Sequence, residues 1–366
     1  MADVIVIGGG IVGCTAALFL AEAGADVLLL ETDTIAAAAS GRNAGSIQHP
    51  LDEARAELYE ESVAIHRRFG TIGERPAGFL AVGAESAADV AFETAARFPA
   101  LGAEIVRGAA LRELEPELAE GLTGCLLPGT GFPAHPAVAT RRFADAARAR
   151  GARIEQGRRA TPELVGGRCV GARTDDGVVH PAGAVLVAAG PWSSELIDPS
   201  GRRRPVSALW GVTVQIALPP GRVIHHRIEE WDDSGTDAEL QSRIHFEVTP
   251  LDAMSVLGAS RATSVPDPAH VAAMIVERAA RFLPAVTASK VSAVRVCARP
   301  VTTDALPYLG PVPEVEDLFV AAGHGPYGIS LGPGSGRIAA DAVLGQAPVP
   351  EAFCADRMMV ASSSQE

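Results

Sequence analysis

The stretch that decides the fold is Ala2-Asp-Val-Ile-Val-Ile-Gly-Gly-Gly-Ile-Val-Gly13, near the start of a chain of 366 residues. An apolar strand pattern runs directly into a Gly-x-Gly-x-x-Gly turn made by Gly8, Gly10 and Gly13. The first glycine permits a tight turn, the second lets a pyrophosphate approach the backbone, and the third lets the next helix pack on the strand. The stretch therefore predicts the phosphate-binding turn of a dinucleotide site.

The residues after the turn complete this pattern. A helix is predicted from Cys14 to Ala23, and its N-terminus would offer unpaired N–H groups to the phosphates. A second apolar strand, Ala25 to Leu30, ends at Glu31, whose carboxylate suits both hydroxyls of an adenosine ribose and repels a 2′-phosphate. This order favours a dinucleotide other than NADP, and a nicotinamide-dependent dehydrogenase built on this turn alone stays open as an alternative.

The composition narrows the class of protein. The formal net charge of −13 excludes nucleic acid as an expected partner, because phosphate backbones require a basic surface. Five cysteines without a Cys-x-x-Cys pair predict a reducing, cytoplasmic location and no structural zinc. No signal peptide precedes the first strand, and the glycines within residues 4–30 indicate a buried strand-helix-strand unit and no membrane span.

The dinucleotide unit recurs in pieces along the chain. Alternating apolar residues at 212–217, 245–248 and 254–257 predict an antiparallel sheet, whereas a strand at Leu318–Ala322 and a helix at Ser335–Leu344 return to α/β character. We therefore expect an α/β (α+β) fold with a Rossmann-like domain that is discontinuous in sequence and a substrate domain built on an antiparallel sheet. The expected ranges are 1–50, 136–203 and 301–350 for the first domain, 51–135 and 204–300 for the second, and 351–366 for a C-terminal tail.

Three further segments carry a resemblance to a known family. They are Ala39-Ser-Gly-Arg-Asn-Ala-Gly45, Val187-Ala-Ala-Gly-Pro-Trp-Ser193, and the pair Arg299-Pro-Val-Thr-Thr-Asp304 and Ala322-Gly-His-Gly-Pro-Tyr-Gly-Ile-Ser330. With the opening turn, they resemble the D-amino-acid oxidase family of flavoproteins over nearly the whole chain. That resemblance implies FAD as cofactor, with its isoalloxazine ring at the interface of the two domains. Residues matching the family's cofactor-binding motifs are Gly8, Gly10, Ile11, Val12, Gly13, Glu31, Thr32, Ser40, Arg42, Asn43, Ala44, Gly45, Ser46, Ala189, Gly190, Trp192, Arg299, Gly325, Pro326, Tyr327, Gly328, Ile329 and Ser330.

The substrate side is expected around Arg299, at the end of an apolar strand. Its guanidinium can bind a carboxylate through two parallel hydrogen bonds, and the resemblance implies the same role. Tyr327 is expected to contact substrate or close the pocket, and His324 either contacts the flavin or braces its loop. Pro326 stands where glycine oxidases tend to carry a second arginine, which makes glycine itself a less favoured substrate. Gln48, His49 and Trp210 are further candidates for the pocket lining.

Two residues bear on the branch of the family. Cys297 has the spacing of the cysteine that attaches FAD covalently in monomeric sarcosine oxidase relatives, but Arg299-Pro300 follows the non-covalent branch, which is favoured. Val256 falls where that oxidase branch has an oxygen-activating lysine, and Lys290, the only lysine, is too far along the chain to replace it.

The expected reaction follows from the resemblance and from these residues. It is FAD-dependent oxidation of the Cα–N bond of an amino acid or an N-substituted glycine-type secondary amine, by hydride transfer to flavin N5. The imine is then hydrolysed to an oxo acid and an amine, and O2 reoxidises the flavin to give H2O2. A dehydrogenase that uses another acceptor and a flavin-binding subunit of a larger complex are the alternatives, and the oligomeric state is open. The helix opened by Gly332-Pro-Gly-Ser-Gly336 is expected to stabilise negative charge on the flavin.

One group of residues has the side-chain types of a metal site. His225 and His226 lie close in sequence to Glu229 and Glu230, but the following Asp232-Asp-Ser-Gly-Thr236 indicates a solvated loop. No metal site is predicted there.

Overall fold

Two large sheets organise the computed structural model, which describes residues 2–231 and 244–360. The strands in these ranges are β1 Ala2–Ile7, β2 Val27–Glu31, β3 Ser46–Ile47, β4 Phe79–Gly83, β5 Glu104–Arg107, β6 Thr123–Leu127, β7 Phe132–Pro133, β8 Arg153–Gln156, β9 Ala160–Val165, β10 Arg168–Thr174, β11 Val179–Val187, β12 Ser207–Ala217, β13 Arg227–Glu230, β14 Glu247–Leu251, β15 Met254–Gly258, β16 Lys290–Val301, β17 Tyr308–Pro311 and β18 Leu318–Ala322. The α-helices are α1 Ile11–Glu22, α2 Ala39–Arg42, α3 Glu53–Arg68, α4 Glu85–Ala96, α5 Gly108–Leu114, α6 Pro136–Ala149, α7 Ser193–Ile197, α8 Pro268–Ala280, α9 Gly328–Val343 and α10 Arg357–Val360. Short 3-10 turns lie at Pro99–Leu101, Gly190–Trp192, Pro284–Ala288, Gly325–Tyr327 and Glu351–Phe353.

The first sheet has the order β17-β18-β11-β1-β2-β8, with the β9–β10 ribbon attached to β11. The pairs of β1 with β2 and β11, of β2 with β8, and of β11 with β18 are all parallel. Parallel strands all end at the same edge of a sheet, so five connections meet there: those after Ile7, Glu31, Gln156, Val187 and Ala322. This edge is where an open α/β sheet binds its ligand, and it confirms the predicted Rossmann-like unit.

The second sheet has the order β16-β12-β15-β14-β13-β4-β6-β5. Its pairs are antiparallel, as predicted, apart from the parallel pair of β13 with β4. Its strands come from residues 79–127 and 207–301, between the pieces of the first sheet. The α/β (α+β) prediction is therefore correct, while the domain boundaries drawn from the sequence stay a prediction.

The last helix begins seven residues earlier than the sequence predicted. It starts at Gly328, and the segment 332–336 lies buried inside it. A Cβ on Gly336 would lie 2.8 Å from Ala16 N of α1, and one on Gly334 would lie 2.8 Å from Ser62 Oγ of α3. The small residues therefore let α9 pack closely against α1 and α3, and they do not open the helix.

Other boundaries differ less. The first helix starts at Ile11 and not at Cys14, and β12 starts at Ser207. Within the range predicted to be a tail, Met358 is buried and Ala355 N donates to Leu309 O at 3.0 Å, so this part packs on the first sheet. Residues 361–366 of the predicted tail and the predicted loop 232–236 lie outside the described residues. In the described ranges, no helix has the length and apolar character needed to cross a bilayer.

Candidate active site

A cavity of about 640 Å³ lies between the two sheets. Its lining includes the connections at the carboxyl edge of the first sheet: Gly8–Gly10, Glu31–Asp33, Ala188–Gly190 and the residues around His324. The opposite wall consists of residues from β12, β13, β14 and β16 of the second sheet. One cavity therefore joins the predicted dinucleotide site to the predicted substrate side.

The opening turn has the constraints that a dinucleotide site requires. Gly8 has φ +119°, and a Cβ there would collide with the Ala188 carbonyl. Gly10 is the N-cap of α1, and a Cβ there would lie 3.1 Å from Ser40 Oγ. Only glycine fits the first position, and the second leaves the helix N-terminus open to a phosphate.

The acid at the end of β2 is held in place by backbone donors. Gly9 N donates to Glu31 Oε2 at 2.6 Å, and Asp33 N donates to Oε1 at 2.8 Å. The carboxylate is half-buried at the rim of the cavity. Its position after the second strand is the one from which an acid reaches ribose hydroxyls.

The loop after β2 folds back over α1. Ser40 Oγ accepts a hydrogen bond from Ile11 N at 3.0 Å, and Asn43 Oδ1 accepts one from Gly45 N at 2.9 Å. Arg42 is exposed at the cavity and donates from Nη1 to Val296 O of β16 at 3.3 Å. The loop therefore connects the dinucleotide turn to the second sheet.

The N-terminus of α9 faces the same cavity. Gly328, Ile329 and Ser330 line it, and the first N–H groups of a helix have no partner within the helix. His324, just before this helix, is buried, and its Nε2 has no hydrogen-bond partner among the described residues. Burial lowers the pKa of His324 to about 4, so the ring is neutral. Helix and imidazole together offer uncharged polar groups to a ligand at the cavity.

Arg299 lies in the cavity wall at the end of β16. Its guanidinium lies against Gly211, where the Cβ of any other residue would collide with it. Arg299 Nη1 donates to Ser260 O at 3.0 Å. Cys297, two residues earlier, also lines the cavity. Burial raises the pKa of the Cys297 thiol, although the nearby Arg299, Arg295 and Arg42 oppose this effect.

Three charged or polar residues that the sequence analysis missed share this wall with Glu229, which it considered only beside the histidine pair. Arg227, Glu229, His245 and Glu247 all line the cavity, and we call them the charged wall. Arg227 Nη2 donates to Glu229 Oε2 at 2.8 Å and to Glu247 Oε2 at 2.6 Å. Burial opposes ionisation of Glu247, but the cations around it, Arg227 first, outweigh this effect and hold the pKa of its carboxyl below its usual range.

Most predicted site residues line the cavity. They are Gly8, Gly10, Ile11, Val12, Glu31, Thr32, Ser40, Arg42, Asn43, Ala44, Ser46, Gln48, Ala189, Gly190, Trp192, Trp210, Cys297, Arg299, His324, Gly325, Pro326, Tyr327, Gly328, Ile329 and Ser330.

Three predicted residues lie elsewhere. Gly13 supports the turn from behind, where a Cβ would collide with Gly8 O, and Gly45 has φ +78° and packs on Ala134 O. His49 is buried between the rings of Tyr59 and Phe98, at centroid distances of 5.1 and 4.5 Å. Its Nδ1 accepts a hydrogen bond from Leu51 N at 3.0 Å, so this histidine holds a turn and does not reach the cavity lining.

The histidine pair His225 and His226 has a structural role. Glu115 Oε1 accepts hydrogen bonds from His225 N at 2.8 Å and His226 N at 2.5 Å, and it lies 2.8 Å from His226 Nδ1. This buried carboxylate fixes the turn before β13. Glu230 instead pairs with Arg278 at 2.7 Å, on the side of β13 away from the cavity.

The residues present fit FAD. The glycine turn and the N-terminus of α1 suit the pyrophosphate, and Glu31 suits the ribose. The buried Nε2 of His324, beside α9, has no hydrogen-bond partner among the described residues, and a polar group of the cofactor would supply one. The first helix and α9 both point their N-termini at this cavity, as a cofactor with a phosphate at one end and an electron-accepting ring at the other requires.

Comparison with known proteins agrees with this fit. The model of the DAO family, FAD-dependent oxidoreductases, matches residues 3–342. Glycine oxidase of Bacillus licheniformis is 26% identical over 97% of this chain and 97% of its own length, and glycine oxidase of Geobacillus kaustophilus is 27% identical over 93% and 92%. The crystal structure of glycine oxidase from Bacillus cereus ATCC 14579 superposes with a TM-score of 0.82 at 25% identity, covering 95% of this chain and 96% of that one. The chain therefore belongs to the DAO family of FAD-dependent oxidoreductases.

Proposed function

We propose that this enzyme oxidises the Cα–N bond of an amino acid or of an N-substituted glycine-type secondary amine. One observation carries the proposal: Arg299 lies in the wall of the cavity that also contains the dinucleotide turn and the N-terminus of α9. A fixed cation beside a redox cofactor suits a substrate that carries a carboxylate next to its reacting carbon. The similarity to glycine oxidases supports the same class of substrate.

Each residue then has a defined task. FAD, when bound, supplies the acceptor for the hydride that leaves Cα. Arg299 binds the substrate carboxylate and so orients Cα and the amine nitrogen. Tyr327, whose ring lies 4.8 Å from the guanidinium carbon of Arg55, closes one side of the cavity. The N–H groups that open α9 stabilise the negative charge that develops on reduction, and neutral His324 adds a polar contact without a charge.

The electron acceptor is proposed to be O2, with H2O2 as product. A second acceptor deserves a test because the chain has no lysine in the cavity: Val256 is buried in β15 outside the lining, and Lys290 is exposed at the start of β16. We also propose that FAD is bound non-covalently. We propose a cytoplasmic location as well, which the absence of disulfides among the five free cysteines supports.

The test is a screen with the purified chain alone. D-, L-, cyclic and N-alkyl amino acids are mixed anaerobically with the FAD-loaded protein, and the visible flavin absorbance is followed. We expect bleaching by at least one class that carries a carboxylate, followed by H2O2 formation when air is admitted. Bleaching without H2O2 would identify another acceptor, and no bleaching by any amine would contradict the proposal and favour a subunit that needs a partner.

A further inference from the structure

The charged wall places two carboxylates directly opposite each other. Glu229 on β13 is the cross-strand partner of Glu247 on β14, and both side chains face the cavity. Like charges in this position repel unless a cation lies between them. Arg227, which is almost fully buried, supplies one guanidinium for the two carboxylates. Arg227, Glu229 and Glu247 together carry a formal charge of −1, and Arg299 and Arg261, which line the same cavity, place further positive charge near Glu247.

The hydrogen bonds leave acceptors unused. Arg227 Nη2 bonds only the Oε2 atom of each glutamate, and its Nη1 donates to the Ile228 carbonyl. Gln48 Nε2 adds a long hydrogen bond of 3.4 Å, again to Glu229 Oε2. The Oε1 atoms of both glutamates accept no hydrogen bond from the described part of the chain. His245 Nε2 lies 3.6 Å from Glu229 Oε1, which is beyond hydrogen-bond distance.

His245 gives independent evidence that a ligand is missing here. The residue is only 7% exposed and lines the cavity, and its Nδ1 is buried without a hydrogen-bond partner in the ranges the structure describes. Buried polar nitrogens without partners are rare in folded proteins. A donor from a bound molecule would satisfy this nitrogen.

The choice between a nitrogen cation and a metal at these groups depends on Arg227 and not on their spacing. One ligand atom from each of Glu229, His245 and Glu247 lies within 4.8 Å of the other two. This limit admits acceptors about 2.8 Å from one ammonium nitrogen, which are about 4.6 Å apart, and also the closer ligands of a metal. The guanidinium of Arg227 already lies between the two carboxylates and cancels one of their two negative charges. The charge that remains suits a singly charged N–H donor better than a divalent metal.

The amine that is oxidised is a poor match for this wall. A carboxylate beside an amine favours the protonated form, and an ammonium has no lone pair to assist the departure of a hydride from Cα. A second, unreactive cation benefits from the same carboxylates without this penalty.

We propose that the substrate carries a second cationic nitrogen, an ammonium or a guanidinium, which binds to Glu229, Glu247 and His245 while Arg299 binds the carboxylate. This inference rests on the proposed function and adds its substrate class: amino acids with a basic side chain or N-substituent. Glu229 and Glu247 then determine specificity, and they take no part in the oxidation itself.

The test compares substrates that differ only in the second charge. D- and L-lysine are compared with Nε-acetyllysine and norleucine, and ornithine and arginine extend the series. We expect kcat/KM of the wild-type enzyme to be about tenfold or more higher for the cationic member of each pair. Equal values for lysine, Nε-acetyllysine and norleucine would overturn the inference while leaving the proposed function standing. No flavin reduction by any of them, or by any compound of the wider screen, would overturn the proposed function and the inference with it.

A matched pair of variants assigns the effect to the wall. Glu229→Gln keeps an oxygen that can accept from Arg227 but removes the charge, and it should lower the ratio of cationic to neutral kcat/KM by about tenfold. Glu230→Gln, the neighbour that pairs with Arg278, should leave this ratio unchanged. Flavin absorbance and thermal unfolding verify that both variants fold. An unchanged ratio in Glu229→Gln, or an equal fall in Glu230→Gln, would overturn the assignment. If Glu229→Gln does not fold, the wild-type comparison of charged and neutral substrates decides alone.

Discussion

His66 Nε2 lies 2.9 Å from the backbone carbonyl of Ile329 in the first turn of α9. In a regular helix this carbonyl would accept from the N–H four residues later, but that residue is Pro333, which has no N–H. The imidazole therefore supplies the donor that the proline lacks, and its Nδ1 lies 2.6 Å from Thr71 Oγ1. A buried histidine of α3 thus completes the helix that faces the cofactor cavity.

Replacing this histidine should weaken the start of α9. His66→Leu leaves the buried Ile329 carbonyl without a donor, which should cost about 1–3 kcal/mol in the free energy of unfolding. His66→Gln can still donate from Nε2 and should lose much less. Urea unfolding of the FAD-free protein measures both, and equal losses in the two variants would show that the hydrogen bond is not the cause.

The same histidine should make stability depend on pH. Burial lowers the pKa of His66 from 6.5 to about 4, against a smaller opposing effect of the Ile329 carbonyl, so the folded protein holds it neutral where the unfolded chain is protonated. Its contribution is complete above about pH 6.5 and is lost as the pH falls towards 4, by up to about 3 kcal/mol. Because Gln does not titrate, the difference in unfolding free energy between wild type and His66→Gln should shift in favour of the variant as the pH falls through this window. Parallel curves would contradict the shift.

The opening turn could be predicted because its constraints are local. Gly8, Gly10 and Glu31 each have one task that their residue type alone can fulfil, and the structure places all three at the cavity. The start of α9 could not be predicted this way. Glycine and proline at 332–336 have poor helix propensity, and only close packing on α1 and α3 makes this segment helical.

The charged wall was missed for a different reason. Arg227 and Glu229 alternate along a short strand, and such a pattern is normally a solvated face. Only the register that pairs Glu229 with Glu247 turns these side chains towards a cavity, and register between strands is not visible in one sequence. His49 shows the converse, since its neighbours Tyr59 and Phe98 take it out of the predicted pocket.

The packing role of the glycines in α9 can be tested with a matched pair. A Cβ in Gly336→Ala would lie 2.8 Å from Ala16 N and 2.9 Å from Val12 O, which are backbone atoms that cannot yield easily. We expect a loss of about 1–3 kcal/mol in the free energy of unfolding. In Gly328→Ala the nearest neighbour would be 3.9 Å away, so this variant should be neutral or gain up to about 1 kcal/mol. Thermal unfolding of the FAD-free proteins compares them, and similar stabilities would refute the packing argument.

Acid precipitation tests the bond between FAD and the protein. Burial raises the pKa of Cys297, which disfavours the reactive thiolate, so we expect the flavin to remain in the supernatant. Cys297→Ser should retain FAD to the same degree as the wild type. A yellow pellet from the wild type that becomes colourless in Cys297→Ser would demonstrate a covalent link instead.

The proposed binding of the substrate carboxylate depends on Arg299, and anaerobic flavin reduction by a matched acid and amide measures this dependence most directly. The substrate found in the screen is compared with its carboxamide in wild type, Arg299→Lys and Arg299→Ala. We predict that the wild type prefers the acid, that Arg299→Ala weakens binding of the acid by about tenfold to a hundredfold, and that Arg299→Lys falls between them. In Arg299→Ala the acid and the amide should become nearly equivalent. An unchanged preference for the acid in Arg299→Ala would contradict the proposed carboxylate site.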